Sequence, residues 1–153
     1  MKHDEYAGRL FARGYNCAQA VAVAFTDVTG LTDDYAAKMA SSFGGGMGRM
    51  REVCGAVSGM LMVLGLVYGY NTPGDDEAKK EQYALIQQLA GKFREELGTI
   101  ICRELLDNPS TDPTPSPRTE EYYAQRPCAR MVMTAARILE EYMEENPPEA
   151  IHG

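Results

Sequence analysis

Four cysteines are the residues of this chain with the widest chemical range. They are Cys17, Cys54, Cys102 and Cys128. A cysteine thiolate attacks disulfides and also binds iron or zinc. No two of the four stand in a CxxC pair, so the chain carries neither a thioredoxin motif nor a zinc ribbon. Any shared chemistry therefore requires distant segments to bring the cysteines together.

The histidines argue against several other mechanisms. The chain has only two, His3 and His152, and both lie close to a terminus, where chains commonly fray. A Cys–His dyad, a Ser–His–Asp triad or a His-rich zinc site is therefore not expected. This excludes most hydrolase mechanisms.

Length and charge restrict the class of protein further. The 153 residues suit a single four-cysteine domain over 1–153. A net charge of −7 argues against binding to nucleic acid or to anionic lipid. The longest apolar stretch, 56–70, is interrupted by glycines and too short to span a bilayer. The charged N-terminus lacks the apolar core of a signal peptide. We expect a cytoplasmic protein without membrane insertion.

The elements that must position the cysteines are predicted to be helices. Apolar residues recur at helical spacing, and no sustained strand alternation appears, so we predict an all-α, single-domain bundle of about five to seven helices. Asn16 is expected to cap a helix over 17–28, with Gly30 as its stop, and Thr32 a helix over 33–43. Further helices are expected over 3–13, 51–68, 76–98, 100–107 and 128–145.

Residues 107–118 contain four prolines. They are predicted to form a surface loop, because too little chain follows to build a second core. Thr119 is expected to cap a turn over 120–126.

Each cysteine falls near the start of a predicted helix. A helix N-terminus carries partial positive charge and free N–H donors, and both stabilise a thiolate and lower the pKa of a cysteine. This placement suits a redox thiol and a metal ligand equally well. Free cysteine also packs as a small buried hydrophobe, so inert core cysteines are the alternative.

Glycines surround one cysteine in particular. Four glycines in the five residues 44–48 break any helix and permit unusual φ angles. They lack the GK[ST] of a P-loop, so they are only a weak phosphate signal. Gly55 and Gly59 follow Cys54 inside a predicted helix, at a cost of about 1 kcal/mol each relative to alanine. Close approach of another helix, bringing a second cysteine near Cys54, or room for a ligand would compensate.

The segment CGAVSG, residues 54–59, resembles the CGAxxG motif of the C_GCAxxG_C_C family of small redox-active proteins. The other cysteine segments agree with that family in order and rough spacing: GYNCAQAV, ICRELL and PCARMV. The resemblance extends from about residue 8 to 142. It implies redox activity at Cys17, Cys54, Cys102 and Cys128. A similar domain occurs in split-Soret cytochromes, where the corresponding cysteines are associated with an iron–sulfur centre, which implies a ligand role for the same four. This chain has no CxxCH motif, so the haem does not carry over.

Three hypotheses follow. The first is a thiol redox protein that works with a redox partner, with Cys54 as the preferred nucleophile because it leads the glycine motif. The second is an iron–sulfur cluster or another thiolate-bound metal held by all four cysteines. The third is a non-catalytic helical interaction module whose cysteines are scattered through the core. The redox class is favoured over the module, thiol exchange and cluster binding are evenly matched, and a second copy of the chain is a further candidate partner.

Overall fold

The computed structural model describes residues 1–107, 109–119 and 127–148. Eight regular helices lie in these ranges: α1 (His3–Ala12), α2 (Cys17–Ala24), α3 (Thr26–Thr29), α4 (Asp33–Ala40), α5 (Gly55–Tyr68), α6 (Asp76–Leu97), α7 (Cys102–Leu105) and α8 (Cys128–Glu145). A 3₁₀ turn, Ser41–Phe43, follows α4. No strand forms in the described ranges, although Val53 and Ile101 make an isolated antiparallel bridge. The predicted all-α class is confirmed.

The helix count exceeds the predicted range by one because the helix expected over 17–28 is divided. Phe25, with φ −109° and ψ 19°, separates α2 from the single turn of α3. The predicted caps of this region are confirmed. The Asn16 side chain accepts a hydrogen bond from the Gln19 N–H at 2.8 Å, and the Gln19 side chain accepts one from the Asn16 N–H at 3.0 Å. Gly30 ends α3 with φ +78°.

Helix α2 lies at the centre of the core. Six of its eight residues are buried, and it packs against α1, α4, α5 and α8. A helix that is apolar on every side is stable only when other elements surround it. Its first residue, Cys17, is therefore placed among the neighbouring helices.

The remaining long helices agree with their predicted ranges. Helix α8 covers the predicted residues 128–145, and α6 begins after Asp75, whose carboxylate accepts from the Ala78 N–H at 3.1 Å. Gly98 ends α6 with φ +92°. No helix in the described ranges combines the length and apolar character that a membrane span requires.

Two predicted helices are shorter than expected, because their first residues pair with each other. The residues predicted to begin α5 at 51 are not helical: Arg51 has φ +63°, and Val53 forms the bridge with Ile101. The Cys54 N–H donates to the Ile100 carbonyl at 2.8 Å, and the Cys102 N–H donates to the Glu52 carbonyl at 2.6 Å. Helix α5 thus begins at Gly55, and α7 begins only at Cys102. The turn predicted over 120–126 lies outside the described residues, as does His152.

The expectation of a frayed N-terminus is wrong at His3. Its ring stacks on the buried Phe25, with centroids 4.3 Å apart. Its Nδ1 lies 3.0 Å from a carboxylate oxygen of Glu140, and its Nε2 lies 2.9 Å from one of Asp27. These contacts tie the first turn of α1 to α3 and α8.

Candidate functional site

All four cysteines stand at helix starts, as predicted. Cys17, Cys102 and Cys128 are the first residues of α2, α7 and α8, and Cys54 is the residue that caps α5. Three are buried and Cys17 is partly exposed.

The four cysteines line one cavity of about 400 Å³. All four belong to the described part of the chain, and none of them forms a disulfide. The hypothesis of a non-catalytic module expects cysteines scattered through the core, whereas these come from four separate helices to one cavity.

The glycines of the CGAxxG segment bring two of these helices together. A Cβ on Gly55 would lie 2.8 Å from the Phe43 carbonyl oxygen and 3.2 Å from the Cβ of Cys17. A Cβ on Gly59 would lie 2.7 Å from the Ala18 carbonyl oxygen. Helix α5 therefore approaches the start of α2 more closely than any side chain allows. Close approach of another helix, one of the predicted compensations, is therefore observed, and it places Cys17 beside Gly55.

The glycine loop positions the third cysteine segment. Gly44–Met47 forms one turn in which Gly45 and Gly46 have left-handed dihedral angles. A Cβ on Gly46 would lie 2.7 Å from the Cβ of Cys102. Beyond the turn, Arg49 and Arg51 also have positive φ, at 67° and 63°. Left-handed non-glycine residues are strained, and such strain is common at functional sites.

Cys17 and Cys128 interact through their side chains. A side-chain hydrogen bond with Cys128, together with burial, raises the pKa of Cys17 well above its usual value. The Cys17 thiol therefore holds its proton more firmly than an exposed cysteine does.

Burial dominates the ionisation of Cys54. It raises the pKa of this thiol to about 12, and the N–H groups of Ala56 and Val57 oppose the shift only in part. The Cys54 sulfur also contacts the Met131 sulfur at 3.9 Å. The expected net lowering of pKa at a helix start is therefore wrong for both cysteines. The hydrogen bond with Cys128 and burial raise the pKa of Cys17, and at Cys54 desolvation outweighs the helix N–H groups.

Sequence reasoning missed the arginines of this cavity. The Arg51 side chain is buried, and its Nη1 donates to the Cys102 sulfur at 3.8 Å. Arg118 also lines the cavity and donates to the carbonyls of Phe11 and Tyr15 at 2.8 and 2.9 Å. The position of Arg51, three residues before Cys54 and three residues after the glycine loop, was the available signal. No local sequence pattern indicates that Arg118 lines the cavity.

The proline-rich loop contributes to the same cavity. Most of its described residues are exposed, as predicted, yet Pro113, Pro115, Ser116 and Arg118 line the cavity. The carbonyl of Ser110 accepts from the Arg51 Nε at 2.9 Å, which ties the loop to the segment before Cys54. The loop therefore covers the cysteines as well as connecting two helices.

A comparison with protein families identifies the group to which the chain is related. Residues 15–142 match the model described as "Putative redox-active protein (C_GCAxxG_C_C)". The chain belongs to the C_GCAxxG_C_C family. All four cysteines fall within the matched residues. Searches of curated proteins and of solved structures gave no significant match.

The donor set of this C_GCAxxG_C_C protein does not form a single-ion site. Among the described residues, no group of three or more His, Cys, Asp or Glu side chains is placed to hold one metal ion. The four cysteines instead line one shared cavity. Four cysteine side chains are the donor type of an iron–sulfur cluster, so the chemistry of the residues present suits that group.

Proposed function

We propose that this protein performs dithiol–disulfide exchange and that Cys17 and Cys128 form its reversible disulfide. The observation that carries the proposal is the convergence of the cysteines on one cavity, where the Cys17 and Cys128 side chains interact. A disulfide brings two sulfurs to about 2.05 Å. Two side chains that already interact on one cavity wall are the pair of cysteines best placed for that bond.

The surroundings of the two thiols support an order of attack. The pKa of Cys17 is raised well above its usual value, while Cys128 starts the long helix α8, whose N-terminus favours an anion. Cys128 is therefore the attacking thiolate and Cys17 the resolving thiol. Burial raises the pKa of Cys54, the nucleophile preferred from the sequence, to about 12, so it is poorly suited to attack.

The reaction balances with an external disulfide, R–S–S–R, as the oxidant. The Cys128 thiolate attacks one sulfur, and the R–S–S–R bond breaks to release R–S⁻ and leave a mixed disulfide. The Cys17 sulfur then attacks Cys128, the second R–S group departs, and it takes the Cys17 proton. Two electrons pass from the protein thiols to the external disulfide. The reverse sequence reduces the protein.

The test is to map the first disulfide that forms. Reduced protein is treated with limiting oxidised glutathione, the remaining thiols are alkylated, and linked peptides are identified by mass spectrometry. We expect a Cys17–Cys128 link that is absent in Cys17→Ser and retained in Cys54→Ser. A different first pair, or mixed disulfides that never resolve, would overturn the assignment.

A second candidate function is electron transfer through an iron–sulfur cluster. It is favoured by the convergence of all four cysteines on one volume and by the hydrogen bond from Arg51 to the Cys102 sulfur. Cys17, Cys54, Cys102 and Cys128 would hold the cluster, which supplies one-electron redox chemistry when bound. Arg51 would offset the negative charge on the Cys102 sulfur.

Anaerobic purification separates the two candidates. Iron and sulfide analysis with a UV–visible spectrum is made on wild type and on Cys54→Ser. Stoichiometric iron and sulfide that are lost in the variant would establish the cluster. A colourless, metal-free wild type would exclude it, and the dithiol mechanism is expected to survive Cys54→Ser in either case.

A further inference from the structure

The cavity has a charge opposite to that of the chain. Arg49, Arg51 and Arg118 line it, and no Asp or Glu among the described residues does so. The whole chain carries a net charge of −7. Three guanidinium groups in one cavity of an acidic protein make this cavity a local site of positive charge.

Arg51 has hydrogen-bonding capacity that no described residue uses. Its side chain is only 3% exposed. Nε donates to the Ser110 carbonyl and Nη1 to the Cys102 sulfur, whereas Nη2 is buried without a partner in the described part of the chain. A buried charged donor without an acceptor is costly, which suggests that an acceptor is supplied from elsewhere.

Arg118 is held firmly at the same cavity. Its guanidinium lies 4.3 Å from the centre of the Phe11 ring and donates to two backbone carbonyls. A cation fixed in this way loses little freedom when it meets a ligand. A volume of about 400 Å³ is sufficient for a small organic molecule.

We propose that the cavity binds a small carboxylate-bearing molecule, with an anionic oxygen that accepts from Arg51 Nη2. Guanidinium groups pair strongly with carboxylates, and a cavity without acidic side chains does not repel an anion. The four cysteines line the same cavity. The substrate of the exchange reaction is therefore a low-molecular-weight disulfide with carboxylate groups, an identification that rests on the proposed function.

The redox part is tested with three disulfides of different charge. Dithiodiglycolate is anionic, 2-hydroxyethyl disulfide is neutral and cystamine is cationic. We expect the reduced wild type to react with the anionic reagent at least about tenfold faster than with the neutral one, after correction for their reactivity towards a free thiol, and most slowly with the cationic one. Equal corrected rates, or a preference for cystamine, would overturn the proposal.

Substitution locates the effect at Arg51. Arg51→Gln is expected to lower the ratio of anionic to neutral rates by about tenfold or more, because one charge-assisted hydrogen bond is lost. A change in thiol pKa alters all three rates together and leaves this ratio unchanged. The exposed Arg94, on α6, provides the control Arg94→Gln, which should keep the wild-type ratio. The reagent series on wild type decides the proposal if Arg51→Gln fails to fold.

Binding is measured separately from chemistry. Thiodiacetate carries two carboxylates but no disulfide, and Cys17→Ser cannot form the proposed bond. Calorimetric binding of thiodiacetate to Cys17→Ser, weakened by adding Arg51→Gln, would support the anion site even if the dithiol mechanism failed. Absence of binding by both wild type and Cys17→Ser would overturn the anion site and leave the disulfide assignment to its own test.

Discussion

Gly59 of α5 lies directly against the carbonyl oxygen of Ala18 in α2. A Cβ at this glycine would stand 2.7 Å from that oxygen and 3.1 Å from the Cβ of Val21. The neighbour is backbone and cannot rotate away. This contact explains why a glycine occupies the interior of a helix, where it costs stability. It also holds Cys54 and Cys17 on one cavity.

Gly59→Ala is therefore expected to destabilise the fold by about 1–3 kcal/mol, since the helices must separate to admit the methyl group. Gly65 lies in the same helix with open space around its missing Cβ. Gly65→Ala should raise stability by up to about 1 kcal/mol through helix propensity alone. Urea unfolding measures the free energy of unfolding of both variants. Equal changes in the two variants would show that the contact between Gly59 and Ala18 does not affect stability.

Gly46→Ala tests the glycine loop. Gly46 has φ +70°, and its missing Cβ is 2.7 Å from the Cβ of Cys102. The substitution should cost about 1–3 kcal/mol and change the alkylation rate of Cys102, because the loop and the cysteine must move apart. Gly74→Ala is the matched control, with φ +87° and open space around it. Gly74→Ala should lose stability because alanine disfavours a positive φ, but it should leave the alkylation rate of Cys102 unchanged.

The sequence predicted those features that depend on local signals. Caps, helical spacing and glycine stops located the start of α2 at Cys17 and the start of α8 at Cys128. The pairing of 51–54 with 100–102 depends on contacts between residues about fifty positions apart, and no local pattern reports it. For that reason the sequence predicts that α5 begins at 51, whereas it begins at Gly55. The sequence likewise does not identify Arg51 as a residue of the cavity. The pKa of Cys54 likewise depends on how deeply tertiary packing buries it.

His3 gives the fold a pH-dependent contribution. Burial lowers the pKa of His3, but the hydrogen bonds and charges of Glu140 and Asp27 outweigh it, so the pKa is raised above 6.5. The folded state then binds the proton more tightly than the unfolded state. This stabilisation is fully present below pH 6.5 and is lost as pH rises through the folded pKa.

His3→Gln should therefore cost more stability at pH 5.5 than at pH 8.5, by about 0.5–1 kcal/mol, as befits partly exposed ion pairs. NMR titration of the His3 ring provides a second measurement, and Glu140→Gln should lower its pKa. If the stability difference is larger at pH 8.5, or if Glu140→Gln leaves the pKa unchanged, the ion pairs do not have this role.

Cys54 should make the fold sensitive to alkaline pH. Its pKa is raised from 9.0 to about 12 by burial. Between these values the unfolded chain releases the Cys54 proton while the folded chain keeps it, so stability falls as pH rises. One such proton contributes a slope of up to about 1.4 kcal/mol per pH unit.

Replacing Cys54 by alanine removes that proton, so the stability of Cys54→Ala should decline less steeply between pH 9 and 11 than that of wild type. The cavity left by the sulfur lowers the whole curve, but it does not alter the slope. Urea unfolding across this pH range measures both quantities. Parallel curves for wild type and Cys54→Ala would mean that Cys54 ionises near its ordinary pKa. In that case a raised pKa would no longer be a reason to exclude Cys54 as the attacking thiol.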